Sequence, residues 1–114
     1  MSFKIASNPT YKAQVKVELP SDNGKTVSKM FQAIFKRMSQ SELDNISERL
    51  SAKELTDAAL IDEVMVGWED VQDEDGNVLE FNDKNLATLL DVFPVRPTIV
   101  KTFFATINTA KTKN

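Results

Sequence analysis

Tyr11-Lys12-Ala13-Gln14-Val15-Lys16-Val17-Glu18-Leu19 is the stretch whose reading decides the fold. Its odd positions are apolar and its even positions polar, without a break across nine residues. A period of two puts alternate side chains on opposite faces, so this is a strand with one buried and one wet side. Pro9 keeps the segment before it out of helix. Pro20-Ser21-Asp22-Asn23-Gly24 closes it with residues that favour turns.

The segment over 27–38 fits two periods. As a helix, Val27, Met30, Phe31, Ile34, Phe35 and Met38 share a face. As a strand, Phe31, Ala33 and Phe35 point one way and Met30, Gln32 and Ile34 the other. Periodicity slightly favours the helix. Pairing favours the strand, because a lone first strand would leave its N–H and C=O groups unmatched, and a short loop makes a hairpin the cheapest remedy.

Helical patterning begins at Ser39-Gln40-Ser41-Glu42, a capping box followed by Leu43, Ile46 and Leu50. Ser51-Ala52-Lys53-Glu54 repeats that signature and predicts the start of a second helix. There Leu55, Ala58, Ala59, Asp62 and Val66 form one side and Ile61, Met65 and Trp68 the other, with Gly67 ending it. Residues 71–81 read as a turn segment around Asp75-Gly76-Asn77. Asn82 can cap a helix running to about Asp91 with Leu86, Leu89 and Leu90 inward, and Phe93-Pro94 breaks it. Pro97 suits the first turn of a last helix carrying Val100, Phe103, Phe104 and Ile107. The expected architecture is α+β: an N-terminal antiparallel hairpin, then about four helices, in a single domain over 1–110 with a flexible polar tail at 111–114.

The chain has 114 residues, no cysteine and no histidine. That excludes disulfides, thiol nucleophiles, Cys/His zinc sites and imidazole bases. No apolar run exceeds the four residues Ala58–Ile61, so no membrane span is expected, and the N-terminus has no signal-peptide core. Net charge is −3, but it is segregated. Residues 1–38 carry +5, 39–60 carry −3, 61–91 carry −9 and 92–114 carry +4. The acidic stretch reads first as a solvated face and second as an electrostatic docking surface. Basic residues are not interleaved with aromatics, which argues against nucleic acid.

Asp73-Glu74-Asp75-Gly76 imitates a calcium loop, yet aligning Gly76 at the sixth position puts Val71 first and Asn82 twelfth, where oxygen ligands are required. Carboxylate pairs such as Asp62/Glu63, Glu69/Asp70 and Glu80/Asp83 are what 17 acids in 114 residues produce by chance. Neither a phosphate loop nor a nucleophile elbow is present, so a non-enzymatic protein without cofactor or metal is expected. Trp68, Phe93, Phe103 and Phe104 are the candidate partner contacts. Each also fits a core position, and two adjacent phenylalanines cannot both face the same way on a helix.

The stretch from Gly67-Trp68-Glu69-Asp70 through Asp73-Glu74-Asp75-Gly76 to Phe81-Asn82-Asp83-Lys84-Asn85-Leu86 resembles the GW, DEDG and PFS-x-EN block of phage tail assembly chaperones. Phe31-Gln32-Ala33-Ile34-Phe35-Lys36-Arg37-Met38-Ser39 and Leu89-Leu90-Asp91-Val92-Phe93-Pro94 match further marks of that family in order, so the resemblance covers roughly 11–107. It implies that the ambiguous segment is the second strand of the hairpin. It also implies binding to the tape measure protein in the host bacterial cytoplasm, absence from the mature virion, and tail tube recruitment through a frameshifted longer form. A homo-oligomer is compatible with it, and neither nucleic acid nor membrane is expected as a partner. The alternative class is an acidic adaptor or DNA mimic that binds a basic protein through the −9 stretch.

Overall fold

The computed structural model describes residues 2, 3, 5 and 8–112. Strand β1 (Thr10–Pro20) and strand β2 (Thr26–Lys36) pair antiparallel in unbroken register from Thr10↔Lys36 to Pro20↔Thr26. A tight turn over Asp22–Gly24 joins them, with Asn23 and Gly24 both in the left-handed region. The hairpin reading of 27–38 therefore holds. Phe31, Ala33 and Phe35 enter the core, while Met30 and Ile34 lie on the other face.

Helix α1 (Gln40–Ser51) starts at the expected capping box. Ser39 Oγ accepts the Glu42 N–H at 3.1 Å, and the Glu42 carboxylate accepts the Ser39 N–H at 3.0 Å. The second capping signature is not used. Ser51 ends α1 instead of opening a helix, because Lys53 adopts φ 59°. That geometry lets the Lys53 and Glu54 N–H groups bond back to Leu50 and Arg49 carbonyls, closing the helix in a Schellman manner. Helix α2 (Asp57–Val64) is capped by Thr56, whose hydroxyl accepts the Ala59 N–H.

Gly67 does not end α2. The chain passes directly from Val64 into strand β3 (Met65–Glu69), which pairs antiparallel with β2 to give the order β1-β2-β3. Two physical facts favour the strand. The β2 backbone offers unpaired groups on its far edge, and Gly67 lies over Ile34, where an added Cβ would come 3.2 Å from Ile34 Cδ1. A bulge between Ile34 and Phe35 sets Val66 outward, 47% exposed, not in a helix face.

The chain leaves the sheet at Asp70, φ 68°. Residues 71–81 form the expected turn segment, with a bridge between Gln72 and Val78. Asn82 caps α3 (Asp83–Leu90) through the Asn85 N–H. Helix α4 (Val95–Thr112) carries Pro97 in its first turn and continues through the start of the expected polar tail; Lys113 and Asn114 lie outside the described residues.

One sheet face is covered by α4, which packs on β1 and against α2, while α2 also touches β3 and α3 leans on α4. The core between them contains Val15, Ala33, Phe35, Leu60, Ile61, Val64, Ile99 and Phe103, all fully or nearly fully buried. The opposite sheet face is largely polar and is tied across by Lys12 Nζ to Glu69 Oε2 at 2.7 Å.

Candidate functional site

Helix α1 reaches the core through a single side chain. Ile46 is its one buried residue, and Leu43 and Leu50 remain half-exposed. Between α1 and the C-terminal half of α4 runs an open groove of about 930 Å³. Its apolar lining comes from Tyr11, Met38, Leu43, Leu50, Phe104 and Ile107, all partly buried and packed on the core from outside. Arg37, Gln40, Asp44, Ser47, Asn108 and Lys111 supply polar groups. A second hollow of about 380 Å³, between α2 and α3, is lined by Ala58, Ala59, Asp62, Asp83, Leu86, Ala87 and Leu90 and contains no aromatic residue.

The groove floor is held by specific contacts. Tyr11 OH and Thr106 Oγ1 share a hydrogen bond of 2.8 Å, which fixes α4 over the start of β1. The Arg37 guanidinium lies 5.2 Å over the Tyr11 ring, a cation–π geometry, and its Nε donates to the Asn8 carbonyl at 2.9 Å. Rings step inward from the groove, with Phe104 to Phe103 at 5.3 Å and Phe103 to Phe35 at 5.3 Å, both edge-on. Arg49 forks onto both Glu63 oxygens at 2.9 and 2.8 Å and so clasps α1 to α2. These bonds push Arg49 up and hold the Glu63 carboxyl below its ordinary range.

The four aromatic candidates separate. Phe103 is fully enclosed, and Phe104 lines the groove, so the adjacent pair divides between core and surface. Trp68 is 8% exposed; its Nε1–H donates to the Leu79 carbonyl at 2.9 Å and its ring meets Phe81 edge-on at 5.0 Å. It anchors the 71–81 segment to the sheet. Phe93 is 73% exposed in the turn between α3 and α4. Among the described residues no ring contact joins Trp68 or Phe93 to the Phe103–Phe104 pair. The α1 side of the groove went unnoticed in the sequence, because Leu43 and Leu50 read like ordinary core residues; the polar Ser47 at the same helical spacing was the available signal.

In the acidic segment, Glu63 and Glu69 are ion-paired, and Asp73 serves its own loop. One Asp73 oxygen accepts the Asp75 and Asn77 N–H groups, each at 2.9 Å, the turn chemistry typical of aspartate. The Asn77 backbone bond is the main reason the Asp73 carboxyl is held below its ordinary value of 3.8. A folded value below the unfolded one stabilises the turn above the ordinary value and loses that contribution as pH falls through the folded value. The Asn77 and Asp75 amide resonances are therefore expected to move together on acidification below pH 3.8. Asp73→Asn keeps an acceptor but should abolish that titration.

A family model for phage tail assembly chaperones matches residues 1–114. The chain belongs to the phage tail assembly chaperone family. No curated protein and no solved structure matches it. For a tail assembly chaperone, the groove offers apolar surface flanked by Arg37, Asp44 and Lys111. No helix among the described residues is long and apolar enough to cross a membrane.

Proposed function

We propose that this tail assembly chaperone is a non-enzymatic holdase. It binds the tape measure protein in the host cytoplasm, keeps it soluble, leaves before the virion is complete, and helps recruit tail tube subunits through a frameshifted longer form. The observation that carries this reading is the α1/α4 groove, with its apolar lining and polar flanks. Laying an apolar helix face into such a groove is a recurring way to recognise a helical client, with anchors at i, i+3, i+4 and i+7. The net charge of −3 and the −9 stretch keep the remaining exterior hydrophilic. Tube subunits that compete for the same client surface would release it without nucleotide.

Co-expression with the tape measure protein tests the reading. A complex that survives gel filtration and a larger soluble fraction of the client are expected. Unchanged client solubility together with separate elution would refute it.

A further inference from the structure

Strand β1 lies at the edge of the sheet, with β2 as its one neighbour among the described residues, and is eleven residues long. The flanking hydrogen bonds fix which of its groups are spent. Arg37 N–H donates to the Pro9 carbonyl and Ser21 N–H to the Lys25 carbonyl, each at 2.8 Å. With the register of β1 on β2, this assigns the odd-numbered backbone groups to β2. The N–H and C=O groups of Thr10, Lys12, Gln14, Lys16 and Glu18 point away from it, and no other described backbone group bonds to them. Natural edges are blunted by a bulge, an internal proline, an inward charge or exposed lysines, and of these β1 carries the lysines, Lys12 and Lys16, which a partner strand has to match with acid or neutral groups. Here β1 pairs with β2 without a bulge, its proline stands at its last position, and its core-facing residues are uncharged.

We propose that this edge pairs with the same edge of a second copy, antiparallel and centred on Val15, joining two sheets into one. Three conditions select that register. Core faces stay on the core side only if odd residues oppose odd residues, since a one-residue slip exchanges the faces. Centring on Val15 lets Thr10–Pro20 overlap along its whole length. It also sets Lys12 against Glu18 of the second copy twice, by symmetry, and Gln14 against Lys16 of the second copy. On the inner face Tyr11 meets Leu19, Ala13 meets Val17, and Val15 meets itself. Moving the centre to Gln14 opposes Lys12 and Lys16, and moving it to Lys16 opposes that lysine to its own mate; like charges directly opposite destabilise a pair. The outward-pointing even-numbered groups are the ones that this register bonds. Helix α4 packs over β1, so its counterpart is the element the pairing has to admit alongside.

Sedimentation velocity over micromolar to sub-millimolar concentrations tests the proposal on the full chain. The expected result is a concentration-dependent shift from the 12.8 kDa monomer to a dimer. Lys12→Glu and Glu18→Lys should each weaken the dimer at least about tenfold, a loss of about 1.4 kcal/mol. The double variant K12E/E18K should restore it. The exchange cannot restore the within-chain partners, Glu69 for Lys12 and Ser28 for Glu18, so rescue reports the intermolecular pair. Gln14→Pro removes an N–H that faces away from β2, and should give a monomer with unchanged far-UV circular dichroism. A monomer at every concentration would overturn the proposal, showing that α4 excludes the second copy. A dimer indifferent to the single charge reversals and to Gln14→Pro would also overturn it, placing the interface elsewhere.

Discussion

Phe103→Ala is expected to cost about 3–5 kcal/mol of folding stability, the usual range for emptying a buried phenylalanine site. The site cannot collapse easily. Phe103 has no exposed surface, and its ring is edge-on to Phe35 from the sheet and to Phe104 from its own helix. Aromatic pairs of this kind add about 0.5–1.5 kcal/mol beyond area burial. Against a typical total of about 5–15 kcal/mol, the loss removes a large fraction of the stability. Phe104→Ala should cost clearly less, because one side of that ring already faces the groove. Phe93→Ala should stay within about 0.5 kcal/mol, as for other surface changes. Urea unfolding followed by circular dichroism ranks the three. The order Phe103, Phe104, Phe93 is expected, and equal losses at Phe93 and Phe103 would contradict the placement of these rings.

Trp68→Ala should have an effect of similar size, about 3–5 kcal/mol, by a different route. Trp68 joins the short β3 to the 71–81 segment, which Val71 also ties to the core. Removing the indole empties the space beside Phe81 and leaves the Leu79 carbonyl without its 2.9 Å donor. The segment should detach before the rest unfolds, so limited proteolysis should cut within 71–81 in the variant at protease levels that spare the parent. Trp68→Phe keeps most of the apolar filling and loses the N–H, so about 1–2 kcal/mol is expected. If Trp68→Ala leaves both the proteolysis pattern and the urea midpoint unchanged, the indole does not anchor the segment.

The residues that the sequence revealed and concealed differ in kind. The alternation over Tyr11–Leu19 needed only one buried face, so β1 was legible outright. The segment over 27–38 was ambiguous because β2 carries apolar residues on both faces: Phe31 and Phe35 in the core, Met30 and Ile34 opposite. Strand β3 was hidden because Ile61, Met65 and Trp68 recur at helical spacing, yet all three are buried whether the chain is helical or, as here, turns into a strand after Val64. Its partner, the free edge of β2, is a tertiary fact. The start of α2 was misplaced, at Ser51 and not Thr56, because Lys53 takes a left-handed conformation that glycine or asparagine would have announced. The groove was least legible. It is a gap between α1 and α4, and its lining residues have the same chemistry as those that fill the core.

The most direct measurement compares tape measure protein binding by the parent chain and by Ser47→Arg/Asn108→Arg. Both positions are exposed and line the groove, so two long charged side chains would occupy it while leaving the core contacts in place. Far-UV circular dichroism and the urea midpoint should therefore stay within the range of surface substitutions, about 0.5 kcal/mol. In co-purification at equal expression, the parent should carry the client and the variant should lose at least about tenfold in affinity, which is about 1.4 kcal/mol. A folded variant that holds the client as well as the parent does would contradict the groove as the client site.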